Sequence, residues 1–179
     1  MDATVVSVSR SDSHTFTKPT VDVVTLLPGL GVDGDAHAGA RVTHRSRVAQ
    51  DPEQPNLRQV QLFPSELFDE VAKAGFTVRP GDLGENITTA GIDLFSLPTG
   101  TTLRLGPDAL VALTGLRNPC GQINGFQGGL LKQLVRNVDG EAVRRGGVMS
   151  VVVQGGEVRP GDGIAIALPP GRPQPLRRV

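Results

Sequence analysis

Twenty-three glycines and fourteen prolines punctuate the 179 residues of this chain. That density is high for a helical protein, and it cuts the apolar sequence into short runs. Runs of Val, Leu, Ile and Thr between turn residues read as β-strands. They cover residues 3–9, 21–27, 58–63, 101–105, 109–114, 148–153 and 163–168. Several alternate with period two, as in Leu103 and Leu105, or Ile164, Ile166 and Leu168. Arg-Pro-Gly-Asp occurs at Arg79 to Asp82 and again at Arg159 to Asp162, with Pro and Gly where a type II turn needs them. Two helices are predicted. One opens at Pro64, buries Leu67, Phe68 and Val71, and stops at Gly75. The other covers residues 126–137, with Leu130, Leu131, Leu134 and Val135 on one side. Many short strands and few helices predict a mainly β fold with a few short helices, closed or nearly closed into a β-barrel. Residues 1–168 form that single domain. Residues 169–179, with four prolines and three arginines, carry no apolar pattern and are predicted extended or mobile.

Composition excludes several functions. The formal net charge is zero, and neither Tyr nor Trp is present to stack on bases, so a nucleic-acid binder is not expected. The N-terminus lacks a basic segment followed by an apolar one, and no apolar run is long enough to span a membrane. With a single cysteine, the chain reads as cytoplasmic. Fifteen arginines outnumber three lysines. Arginine suits bidentate phosphate or carboxylate binding, although GC-rich codon usage is the better explanation of the bias on composition alone.

Cys120 is that single cysteine, in Thr114-Gly115-Leu116-Arg117-Asn118-Pro119-Cys120. It can close no intramolecular disulfide and complete no four-cysteine metal site. It is therefore a buried core thiol, a nucleophile, or one soft ligand to a metal held mostly by something else. Three more segments carry chemistry. The loop from Gly29 to Gly39 is glycine-rich and sets Asp33, Asp35 and His37 at alternate positions. It fits an anion cradle or, less readily, a cation site; a tight loop capped by Asp side chains is the commoner explanation of such a pattern. Residues 40–58 hold Arg41, His44, Arg45, Arg47 and Arg58 against Asp51 and Glu53, as a lid or as a solvated insertion. Gly84-Glu85-Asn86-Ile87 sets Asn86 where its amide can meet a heterocycle edge or cap a turn. Arg144 and Arg145 open a glycine turn and can supply an anion contact or lie exposed.

Taken together, the motifs resemble the MOSC domain, the module named for the C-terminal part of molybdenum-cofactor sulfurases. The matching elements are Gly31, Gly34, Asp35, His37 and Gly39; Arg58-Gln59-Val60; Gly84-Glu85-Asn86-Ile87; Asn118-Pro119-Cys120; and the last Arg-Pro-Gly-Asp turn. The form of the cysteine loop is similar to that of stand-alone bacterial, YiiM-like members. The resemblance implies a MOSC-type β-barrel that binds the molybdenum cofactor, a molybdopterin, with Cys120 as catalytic residue and metal ligand. By position in the motifs it implies that Arg58, Asn86, Arg117, Asn118 and Arg145 line the pterin and phosphate, with Asp35 and His37 at the pocket wall.

The resemblance further implies reduction of N-hydroxylated small molecules such as hydroxylamino-purines and amidoximes. No segment is suited to haem, flavin or an iron–sulfur centre, so the electrons would come from an external electron-transfer protein. Some YiiM-like relatives carry a helical domain after the barrel, which this sequence lacks after Leu168. The alternative is a carrier that holds sulfur or the cofactor on Cys120 without turnover. A third reading is a small-anion-binding module with a structural cysteine. Pyridoxal phosphate is not expected, because Lys18 lies near the N-terminus and Lys73 and Lys132 fall on amphipathic helices. Histidines at 14, 37 and 44 are scattered and form no usual zinc set. Oligomeric state is not set by the sequence.

Overall fold

The structure is a computed structural model that describes residues 2–41, 51 and 53–179. Of the arginine-bearing segment, His44, Arg45 and Arg47 lie outside the described residues. In chain order the strands begin with β1 (Thr4–Ser9), β2 (Thr20–Val21), β3 (Val24–Leu27), β4 (Gly31–Val32) and β5 (Val60–Pro64). Helix α1 (Glu66–Lys73) leads to β6 (Ile87–Ala90), β7 (Thr102–Leu105) and β8 (Ala109–Leu116). Helices α2 (Gln122–Phe126) and α3 (Leu130–Leu134) precede β9 (Val135–Val138), β10 (Glu141–Arg144), β11 (Val148–Gln154), β12 (Gly156–Val158) and β13 (Ile164–Ala167).

Eight strands form the main sheet in the order β13-β7-β8-β11-β5-β6-β1-β2. All its neighbours are antiparallel except β5 and β6, which run parallel because α1 carries the chain over between them. A three-stranded sheet, β12-β3-β4, and the β9-β10 hairpin complete the fold.

The fold is mainly β, as predicted, but the sheets are open and form no closed barrel. Strand β1 meets the start of β13 through the isolated bridge of Thr4 with Gly163 and through backbone bonds of Val5 with residues 161 and 162 and of Ile164 with Ala3, and no longer ladder forms between them. Two physical causes interrupt the ladder there. The far end of β1 is taken by β2, and the Arg-Pro-Gly-Asp turn at 159–162 bends the chain just before β13.

Strand β8 shows why the alternation works. Ala109, Val111 and Leu113 are fully buried, while the residues between them are half-buried. Each such Val or Leu burial is worth about 1.5–3 kcal/mol. They pack with Val5, Val8, Leu62, Ile87, Leu103 and Val148 inside the main sheet. A second cluster, Phe63, Leu67, Val71, Leu83, Ile123, Leu130 and Leu134, seats the helices over β5.

Both repeats of Arg-Pro-Gly-Asp make the same turn. Gly81 and Gly161 have φ of 86° and 93°, and the Asp carboxylate accepts from the Arg backbone N–H at 2.8 Å in each. Helix α1 starts later than its sequence suggests, because Pro64 is the last residue of β5, paired with Thr89. It stops as expected, with Gly75 at φ 88°.

The second helix is not a single one. Gly129 at φ 89° separates α2 from α3, and from Val135 the chain is extended in the β9-β10 hairpin. Consecutive β-branched and polar residues there pair as strands, although the leucine stripe runs straight into them. The tail is extended but docked. Leu176 is buried in the main core, Pro175 bridges Pro98, and Arg178 bridges Leu116.

Candidate functional site

The site is a buried polar cluster, linked to the loop that carries Cys120 through Asn86, Gln61, Gly146 and Pro119. At its centre is Asp35, whose carboxylate accepts five hydrogen bonds. Oδ2 takes Lys18 Nζ at 2.7 Å, Asn86 Nδ2 at 3.0 Å and the Ser11 N–H at 3.3 Å. Oδ1 takes the His37 N–H at 2.9 Å and His37 Nδ1 at 3.2 Å. Burial alone would raise the Asp35 pKa, but the His37 bonds and the Lys18 charge outweigh it and hold the carboxyl far below its usual range. Burial pulls the Lys18 ammonium down, and Asp35 beside it opposes that pull.

The chain places these groups by close backbone approach. A Cβ on Gly81 would lie 2.1 Å from the Lys18 carbonyl, and one on Gly84 would lie 2.6 Å from the Phe16 carbonyl. Both glycines have positive φ, so only Gly lets the 81–84 turn press on the segment that presents Lys18.

Asn86 joins the pieces. Its amide donates to the Ser9 carbonyl at 3.2 Å as well as to Asp35, and its Oδ1 accepts the Gln61 N–H at 3.2 Å. Gln61 Nε2 reaches the Gly146 carbonyl at 3.4 Å, and Gly146 lies against Pro119. Both Asn86 donors are therefore used inside the cluster.

Arg117 is buried at the root of the cysteine loop. Nη1 donates to the Leu83 carbonyl at 2.8 Å and to Gly146 at 3.4 Å, and its guanidinium lies 5.7 Å from the Phe16 ring centroid. Burial lowers its pKa, while Cys120 and Glu85 oppose the shift. A guanidinium stays charged regardless. Glu85 is fully buried. Oε1 accepts from Gly81 at 2.7 Å and from Thr88 at 3.2 Å, while Oε2 has no partner among the described residues. Burial raises its pKa.

Cys120 itself is half-buried, and its Sγ lies 3.4 Å from Gln122 Oε1. Asn118 is exposed beside buried Pro119. Arg58 is half-buried, next to Leu57, whose carbonyl accepts from Thr114 on β8 at 2.6 Å. A cavity of about 550 Å³ lies between residues 17–20 and the Arg79 to Asp82 turn, and neither Cys120 nor Arg117 lines it.

The structure thus joins Asp35, His37 and Asn86 in one hydrogen-bonded cluster with Lys18; Arg117 is bonded instead to the Leu83 and Gly146 carbonyls, and Asn118 is exposed on the cysteine loop. It places Arg145 elsewhere, in a bidentate pair with Glu70 at 2.7 and 2.8 Å and bonded to the Gln133 carbonyl. Its charge is met by Glu70 inside the protein. Lys18, Glu85, Phe16 and Gln61 were not among the expected site residues. Lys18 looks peripheral in sequence, yet its amine is committed to Asp35 and unavailable for a Schiff base.

Among the described residues, no helix is long and apolar enough to cross a membrane. The MOSC domain family model matches residues 35–165. No curated protein matches the sequence significantly. Among solved structures, the YUAD protein of Bacillus subtilis is 25% identical with a TM-score of 0.73, over 93% of this chain and 96% of its own. YiiM of Geobacillus stearothermophilus is 19% identical at a TM-score of 0.63, over 92% of this chain and 75% of its own. YiiM of Escherichia coli is 21% identical at 0.62, over 97% and 73%. The two YiiM likenesses speak to the fold alone.

Proposed function

The chain belongs to the MOSC domain family, and on that premise we propose that it holds a molybdenum cofactor through Cys120 and reduces N-hydroxylated small molecules. The observation that carries this reading is the position of Cys120: a half-exposed thiol on a loop anchored from below by a buried guanidinium. A thiolate suits a soft metal centre, so the donor fits the group.

Cys120 would bind the metal, with Asn118 and Gln122 beside it and Arg58 offering a further charge to the bound group. Asn86, Asp35 and Lys18 act one layer down, because their polar atoms are occupied by one another. When bound, the cofactor supplies a metal centre that exchanges two electrons with the substrate. Removing the oxygen of an N–OH group as water also takes two protons. The chain's residues orient the loop, exclude water from beneath it and hold fixed charge there. The electrons come from a separate electron-transfer protein.

Molybdenum analysis and pterin fluorescence on anaerobically purified protein test the reading, with wild type beside Cys120→Ser. Near-stoichiometric metal and pterin, with metal lost in the variant, are expected. Neither species in protein from cofactor-competent cells would sink it. The accessible thiol also suits a carrier that holds sulfane sulfur or cofactor on Cys120. Transferable sulfur on Cys120 without turnover would favour that reading.

A further inference from the structure

The fold brings together two histidines that lie far apart in sequence. The rings of His14 and His37 sit with centroids 5.0 Å apart, tilted by 59°. We propose that His14 and His37 form a two-imidazole site for a borderline divalent cation of the Zn(II) class. The site shares His37 and its Asp35 support with the candidate site, but it uses no atom of Cys120 and does not depend on the cofactor reading.

Three observations carry it. The first is the spacing. A metal about 2.1 Å from a ring nitrogen lies roughly 3.3 Å from that ring's centre, so two imidazoles in one tetrahedral shell hold their centres about 5–5.5 Å apart.

The second is orientation. His37 Nδ1 is bonded to Asp35 Oδ1 at 3.2 Å, so Nε2 is the ring nitrogen that remains to ligate a cation. A carboxylate behind a ligating histidine fixes its tautomer and raises its basicity. Asp35 is itself immobilised by Lys18 and Asn86, so the ring is held by a buried scaffold.

The third is preorganisation of the His14 loop. Ser11 Oγ bonds the Ser13 carbonyl at 3.0 Å and Thr15 Oγ1 at 3.1 Å, closing a tight turn around His14. The same turn is pinned to the His37 loop at two points: Ser11 N–H to Asp35 Oδ2 at 3.3 Å, and Ala36 N–H to the Ser11 carbonyl at 2.8 Å. Two pinned loops lose little freedom when a cation joins their rings.

Among the described residues no third His, Cys, Asp or Glu completes a cage. The remaining coordination positions fall to water, so the site is open and of modest strength. His37 is 29% exposed at its side chain and His14 is exposed, so a cation can reach them.

The test titrates Zn(II) alone into full-length Cys120→Ser protein by calorimetry, which removes the thiol as a competing ligand. One ion per chain is expected, with a Kd on the order of micromolar. Adding His14→Ala, a surface change that leaves the Asp35 scaffold intact, should weaken binding by about tenfold or more; His37→Ala should do the same. No saturable binding in the parent, or binding unchanged in His14→Ala, overturns the proposal.

Discussion

Lys18 and Asp35 form a 2.7 Å ion pair whose side chains are only 4% and 2% exposed. The pair is unequal. Asp35 has four further donors, whereas Nζ of Lys18 has no other bond among the described residues. Removing Asp35 therefore strands a buried ammonium together with several N–H groups, while removing Lys18 leaves a carboxylate still hydrogen-bonded. Asp35→Ala should destabilise the protein by about 3–5 kcal/mol, and Lys18→Met by clearly less. Urea unfolding of both variants checks the order. An equal or reversed cost would show that the Lys18 charge, not the hydrogen-bonded carboxylate, holds the cluster.

The two buried carboxyls give opposite pH signatures. The Asp35 pKa is depressed below its ordinary 3.8, so its stabilisation is complete above that value and is lost as pH falls through the folded-state value. The Glu85 pKa is raised above its ordinary 4.5, so its contribution is complete below that value and declines as pH rises through the folded-state value. Asp35→Asn should flatten the acid limb of a stability–pH curve. Glu85→Gln should flatten the limb above pH 4.5 and leave the acid limb alone. Thermal melts across pH separate them, and a variant that changes the other's limb would reverse the assignment.

Arg145 is held by Glu70 rather than offered to a ligand. Arg145→Ala should cost about 1 kcal/mol, discounted for the partial exposure of the pair, and Glu70→Gln a similar amount. Molybdenum and pterin content should be unchanged in both. Loss of pterin with unaltered stability would return Arg145 to the site.

Gly146 supports the cysteine loop by absence of a side chain. A Cβ there would lie 2.8 Å from Cγ of Pro119, a rigid ring that cannot turn aside. Gly146→Ala should leave secondary structure intact by circular dichroism while displacing Pro119 and Cys120. Metal content should fall several-fold. Retention of full metal would mean that the position of Cys120 does not set binding.

The strands were legible because period-two alternation records which face is buried, and Ala109, Val111 and Leu113 keep it strictly. The turns were legible because Pro-Gly chemistry is local, so both Arg-Pro-Gly-Asp segments could be read alike. The run from Leu130 to Val135 was not. Its apolar stripe is shared by α3 and β9, and only the left-handed Gly129 and the pairing of Val135 with Arg144 divide it. Asp35, His37, Asn86 and Arg117 could be grouped through family resemblance alone, since nothing local joins them. Lys18 escaped even that, because an ion pair between distant segments leaves no periodic trace. The ion pair of Arg145 was hidden in the same way, because its partner Glu70 sits 75 positions away.

The tail has a consequence for when the site can be finished. Leu116, directly before Arg117, donates its N–H to the Arg177 carbonyl at 2.7 Å and accepts from Val179 at 3.2 Å. Gly115 lies so close that a Cβ would meet the Arg177 carbonyl at 2.3 Å. During synthesis the edge from which the thiol loop springs stays open until residues 177–179 emerge from the ribosome. A chain cut before Arg177 keeps that edge open, and the root of the loop that carries Cys120 loses both of these backbone bonds.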